Sequence, residues 1–164
     1  MGIDNPAAWG EFGVALVGAS AALAGLTFVA ISINLREILA GPGLTGRAGE
    51  AVTTLLLALV TCALLLVPDQ GTVALGLEWV VLGIGFGTIL LRTHIRAART
   101  LTIERSLLAG RIALHQSAAI LWLVAGIATV NGLPGGLYWV APAALWTIAV
   151  GITDAWVLLI EILR

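Results

Sequence analysis

Apolar residues gather in five long runs, parted by short breaks rich in glycine, proline or polar side chains. A membrane-spanning helix needs roughly 20 mostly apolar residues. The runs therefore predict five spans, at about 12–35, 48–67, 72–91, 112–130 and 137–160. Gly41-Pro42-Gly43 closes the first, with glycine past the helix end and proline beyond it. Pro68-Asp69-Gln70-Gly71 makes a tight turn between the second and third, and Asn131 to Gly136 separates the fourth from the fifth. The runs are too long for barrel strands and lack their period-two alternation. The predicted fold is all-α: one polytopic transmembrane domain over residues 1–164, without an internal repeat.

The polar positions in the first span are periodic. Gly13, Ser20, Thr27 and Asn34 recur every seven residues and form a slowly drifting line. Glu11, Gly18, Gly25 and Ser32 form a second line, about 200° around the helix. Both sides are thin or polar, so this span is expected to be buried on two sides, at the centre of an assembly. Helix packing alone accounts for such faces, because small residues permit close approach and hydroxyls bond across it. Alternatively one face packs and the other lines a pore in a homo-oligomer. The pore-lining candidates are then Ser20, Thr27 and Asn34, with Glu11 and Glu37 near the mouths.

Among acids, Asp154 lies deep in the fifth span, where a carboxylate costs about 2.5–3.5 kcal/mol. His115 and Gln116 enter from the same side on the fourth span at similar depth. Asp154 and His115 are the intramembrane ionisable candidates, either in contact with each other or as an ion or proton site. Glu78 beside Trp79, and Glu161 with Arg164, read as interfacial. Gly76, Gly83 and Gly87 read as a packing face, Thr54 and Thr61 as hydroxyls bonded to their own helix, and Cys62 as a small buried residue.

Composition narrows the class. The chain is 60% hydrophobic and 10% charged, with a mean hydropathy of +1.07; soluble domains carry about 25% charged residues. A soluble globular protein is excluded. A net charge of −1 without a basic surface excludes nucleic-acid binding. One cysteine rules out an internal disulfide, and two histidines leave little for zinc. No metal or cofactor is expected. Hydrolase, metalloprotease, P-loop and dinucleotide-binding motifs are missing, and Gly151-Ile152-Thr153-Asp154 lacks the glycine before aspartate that intramembrane aspartyl proteases use. The chain is expected not to be an enzyme and to have no catalytic residues.

Arginine sets the orientation, since lysine is absent. Arg36 and Arg47 follow the first span, Arg92, Arg96, Arg99, Arg105 and Arg111 lie between the third and fourth, and Arg164 ends the chain. With five spans all fall on one side. The positive-inside rule then places the N-terminus outside and the C-terminus in the cytoplasm, as expected for a bacterial cytoplasmic membrane protein. Trp9, Trp79, Tyr138 and Trp139 fall near the outer boundary as an aromatic belt. The segment Arg92 to Arg99 is read as a cytoplasmic connection for topology and anionic-lipid contact, with a solvated His94. Met1 to Gly10 has no basic stretch and Pro6 breaks the myristoylation pattern, so the first span is expected to be its own insertion signal.

The run from Gly18 to Leu39, and Leu75-Gly76-Leu77-Glu78-Trp79, resemble a group of small uncharacterised bacterial multi-pass membrane proteins. That resemblance implies the architecture and no function. Ser20 to Ile31, with its central Gly25, also resembles the pore helix of Orai-type calcium channels. The selectivity acid of that family would fall near Ile33, where Asn34 is the closest polar residue, and Orai subunits have four spans. The likeness implies a pore-lining first helix and no calcium selectivity. The expected function is a homo-oligomeric passive pore for a small cation or proton, lined by the first helix. The alternatives are a non-conducting scaffold or partner subunit, and a small proton-coupled carrier centred on Asp154 and His115.

Overall fold

A computed structural model describes residues 5–100 and 104–162. They form six α-helices and no strand: α1 Gly10–Ile33, α2 Leu35–Ala40, α3 Leu44–Leu64, α4 Thr72–Thr100, α5 Arg105–Val130 and α6 Val140–Ile162. Short 3-10 turns at Pro6–Trp9 and Gly136–Trp139 lead into α1 and α6. Five of the helices are long and apolar enough to cross a membrane.

Helix boundaries follow local chemistry. The expected first span stops early at Asn34, whose side-chain amide donates to the Ala30 carbonyl at 2.8 Å. That bond competes with the helix ladder, and the chain re-enters a helix as α2. Gly43, at φ 81°, then turns the chain into α3 in a conformation that suits glycine. The third span extends beyond its expected end at Leu91. Helix α4 runs to Thr100, so the segment with Arg92, Arg96 and Arg99 on one helical face continues the helix of the third span, and His94 rides on it too.

Helices α3, α4, α5 and α6 pack in a closed ring, each against the next, and α1 lies outside it against α3 and the edge of α6. In the single chain, then, the centre belongs to α3, and the first span has only one covered side. Of the most apolar stretch in each, 17% is buried in the first span and 50% in α3. The covered side carries Gly13, Leu16, Ser20 and Thr27. On the other line no protein atom lies within 4 Å of a Cβ built at Gly18 or Gly25.

The tightest seam joins α4 to α5. Gly76 and Gly126 face each other so closely that a Cβ on either would stand 2.6–2.7 Å from the other's carbonyl oxygen. Gly83 and Gly87 continue the seam against Ala119, as the glycine spacing predicts. Trp79 does not sit in an aromatic belt. It is fully buried against Trp122, with ring centroids 5.8 Å apart. Its indole N–H donates to the Thr61 carbonyl at 2.9 Å, one of the carbonyls left without a helical partner where α3 ends. Trp122 donates to the Thr147 hydroxyl at 3.0 Å. Trp9 and Tyr138 do meet, edge to face, at that same end of the bundle.

Candidate functional site

Four helices send ionisable side chains into one place, near the end where the arginines gather. Arg47 and Glu50 come from α3, His94 from α4, Arg111 and His115 from α5, Asp154 and Glu161 from α6. Glu50 lies six residues into α3, about 9 Å along its axis, and Asp154 eight residues from the end of α6, about 12 Å. Each continues a buried stripe. On α4, Gly83, Gly87, Leu90 and His94 share a face; on α5, Arg111, His115, Ala118 and Trp122 do; on α6, Thr147, Gly151, Asp154 and Leu158 do.

The groups form a ladder of pairs descending into the bundle. At the rim, the Arg47 guanidinium meets Glu161 at 2.7 Å. Below it, Arg111 Nη2 donates to Glu50 Oε2 at 2.5 Å. Glu50 Oε1 makes no hydrogen bond and stands 3.5 Å from Nε2 of the fully buried His94. The His94 ring lies 5.1 Å from that of His115. His115 Nε2 then meets Asp154 Oδ2 at 2.9 Å.

The hydrogen bonds of His115 assign its protons. Nδ1 lies 2.8 Å from the Arg111 carbonyl oxygen, which can only accept, so Nδ1 donates. Nε2 then either carries a second proton against an Asp154 carboxylate or accepts from a protonated Asp154. Either way one proton lies between the two residues and the pair is neutral. Phe86 covers the deep side of His115, its ring 6.4 Å away. Nearer the arginine-rich end a cavity of about 920 Å³ is lined by Arg47, Glu50, Arg96, Glu104, Arg111 and Glu161; it reaches Glu50 and Arg111 but not His115 or Asp154.

Asp154 and His115 are in contact, the first of the two arrangements the sequence left open. The remaining candidates are not brought together with them. Ser20 is buried on the covered side of α1, its hydroxyl without a partner. Thr27 donates to the Leu23 carbonyl at 2.8 Å, and Asn34 to its own helix. Glu11 and Glu37 are exposed. The Thr54 and Thr61 hydroxyls bond their own helix, as expected. Glu161 pairs with Arg47; Arg164, its expected neighbour, lies outside the described residues.

Sequence reasoning missed Glu50, Arg111 and the burial of His94. Asp154 is not the one interior acid, because Glu50 is 2% exposed. His94 is enclosed, not solvated, since α4 carries its packing face past the point where hydropathy falls. The signal was there in the stripe Gly83–Gly87–Leu90–His94, but a row of arginines around it masked the periodicity. Among the described residues, no three His, Cys, Asp or Glu side chains are placed to hold a metal ion. Compared with protein-family models, curated proteins and solved structures, the chain shows no match.

Proposed function

We propose that this chain is a small carrier of a bacterial cytoplasmic membrane that moves a second solute together with a proton. In this reading its arginine-rich end faces the cytoplasm, by the positive-inside rule. The observation that carries the reading is the His115–Asp154 pair, which holds a proton between its two side chains inside the bundle. Beside it stand two further titratable groups, His94 and Glu50, whose facing atoms have no hydrogen bond. Ionisable side chains in a membrane interior are costly and mark ion or proton pathways. The cavity beside them gives the solute a place to bind.

The pore reading has one observation in its favour: the Gly18–Gly25 side of α1 is uncovered and could meet a second copy. A pore lined by Ser20 and Thr27 would need α1 to turn, because both are covered within the chain. One reconstitution separates the two. Vesicles holding a pH-sensitive dye are given a pH gradient, alone and then with a permanently ionised organic anion, an organic cation or an alkali cation. A carrier passes protons only when one of these solutes is present, and Asp154→Asn abolishes the flux. A pore passes protons or cations without a partner solute. Vesicles that pass nothing under any of these conditions would sink both readings and leave the scaffold.

A further inference from the structure

We propose that Arg111 binds a small organic monoanion, a carboxylate or sulfonate, and does so only when Glu50 has taken up a proton. The inference rests on the carrier reading and names its solute. It starts from competition for one guanidinium. Arg111 donates to Glu50 Oε2 and also lines the cavity, so the Glu50 carboxylate holds the place an incoming anion would take. Two anions on one guanidinium in so enclosed a site repel each other strongly.

The other carboxylate oxygen supplies the switch. Glu50 is 2% exposed, and its Oε1 has no hydrogen bond although Nε2 of His94 is 3.5 Å away. A proton arriving from the cavity and settling on Oε1 makes a hydroxyl that can donate to His94 Nε2 after a small rotation. No bond to carbon changes; a solvent proton moves onto a carboxylate. Glu50 is then neutral, and Arg111 faces the cavity as a cation without a counter-ion. A carboxylate or sulfonate restores the balance, and its planar or forked oxygens suit the guanidinium. Proton and anion bind as a neutral pair, each favouring the other by the same factor. The cavity, about 920 Å³, is large enough for a small organic solute.

The surrounding charges are consistent with this exchange. On α3 itself Arg47 is held by Glu161 of α6. From α4 come His94 and Arg96, from α5 Arg111 and His115, and from α6 Asp154, which is tied to His115. Glu104, just before α5, lines the cavity mouth. Arg36 and Glu37 of α2 and Glu11 of α1 are exposed.

Trifluoroacetate and methanesulfonate are suitable probes, because both stay ionised between about pH 5 and pH 8 and any proton taken up belongs to the protein. Fluorine NMR of trifluoroacetate reads binding to the purified chain, and a pH dye in weak buffer reads protons. About one proton should be absorbed per anion bound, and affinity should fall by up to about tenfold per pH unit on the alkaline side. Glu50→Gln, which copies the protonated side chain, should bind at every pH with the affinity wild type shows at the acid end, and absorb no proton. Arg111→Met made on the Glu50→Gln background, where no charge is stranded, should bind neither anion. Binding without proton uptake, a pH-dependent Glu50→Gln, or no binding of either anion at about pH 5 would overturn the proposal. Should Glu50→Gln fail to fold, the proton count on wild type decides alone. Solute-driven proton flux with a cation and none with an anion would refute the anion site and spare the carrier. Coupled binding in detergent without flux in vesicles would refute the carrier and spare the site.

Discussion

The two ends of the four-helix ring are held together by different physics. At the end nearer Trp79 and Trp122, α4 and α5 touch backbone to backbone through Gly76 and Gly126, and Leu75, Leu137 and Val140 fill what remains. The buried indoles and threonine hydroxyls there are each bonded to a carbonyl or to another hydroxyl, and the Gln70 side-chain oxygen is buried at the turn without a partner. At the arginine-rich end the helices stand apart around a cavity and are bridged by three acid–base pairs. Glu50, His94 and His115, the buried acidic and basic side chains among the described residues, all lie at this end. Side-chain volume closes the first end, whereas charge pairing bridges the second. The carrier proposed above would use both, a seal that protons leave unchanged and a site that they rearrange.

The largest expected effect lies at the charged end. Arg111→Met keeps the apolar length of the side chain and leaves Glu50 buried without its cation. Breaking one side of a buried pair costs about 3–5 kcal/mol. Thermal unfolding in detergent should therefore show a large loss for Arg111→Met and a much smaller one for Glu50→Gln combined with Arg111→Met, where no charge is stranded. Equal losses for the single and the double variant would mean that the pair does not hold this end together, and the contrast between the ends would fail.

The two ends also differ in how far they could be read from sequence. Glycine spacing in α4 was enough to predict the packed seam, because Gly76, Gly83 and Gly87 fall on one helical face and nothing bulky intervenes. The five spans were equally plain, since hydropathy needs no partner to be recognised. Trp79 was misplaced because a tryptophan near a helix end suits an interface as well as a core; the deciding fact, a free carbonyl at Thr61, belongs to another helix. The charged end shows the same difficulty in a sharper form. His115 and Asp154 could be matched by depth alone, whereas Glu50 and Arg111 are 61 residues apart and each sits near a helix end among polar neighbours. Their meeting depends on the ring order of the helices, which no local pattern encodes. Likewise the periodic face of α1 predicted a covered side correctly, yet whether its second side is covered depends on other chains.

A smaller effect belongs to the packed end. In Gly126→Ala the new Cβ would stand 2.6 Å from the Gly76 carbonyl oxygen and 3.0 Å from the Val80 backbone nitrogen. Backbone cannot rotate away as a side chain can, so α4 and α5 must part. Overpacking of this kind costs about 1–3 kcal/mol. Gly87→Ala, further along the same seam, meets only the Ala119 Cβ and the Gln116 side-chain oxygen, both at 3.2 Å, and should lose less. If Gly87→Ala were as damaging as Gly126→Ala, close backbone contact would not be what distinguishes this end.

The smallest effect is expected outside the ring, on α1, and it tests whether the comparison is complete. A Cβ at Gly25 meets no protein atom within 4 Å, and the neighbours Leu26 and Phe28 are exposed. Gly25→Leu adds apolar surface towards lipid and replaces a poor helix former with a good one. In an isolated chain its stability should therefore stay within about 0.5 kcal/mol of wild type. The same leucine would be a wedge if the Gly18–Gly25 line packed against a second copy, because small residues are what let membrane helices approach. Thermal unfolding and light scattering of the detergent-solubilised protein, read side by side, separate the cases. Unchanged stability with an unchanged mass leaves the ring as the whole of the packing. A drop in mass with the chain still folded would show that α1 holds a third seam, between copies, and would return weight to a pore built around it.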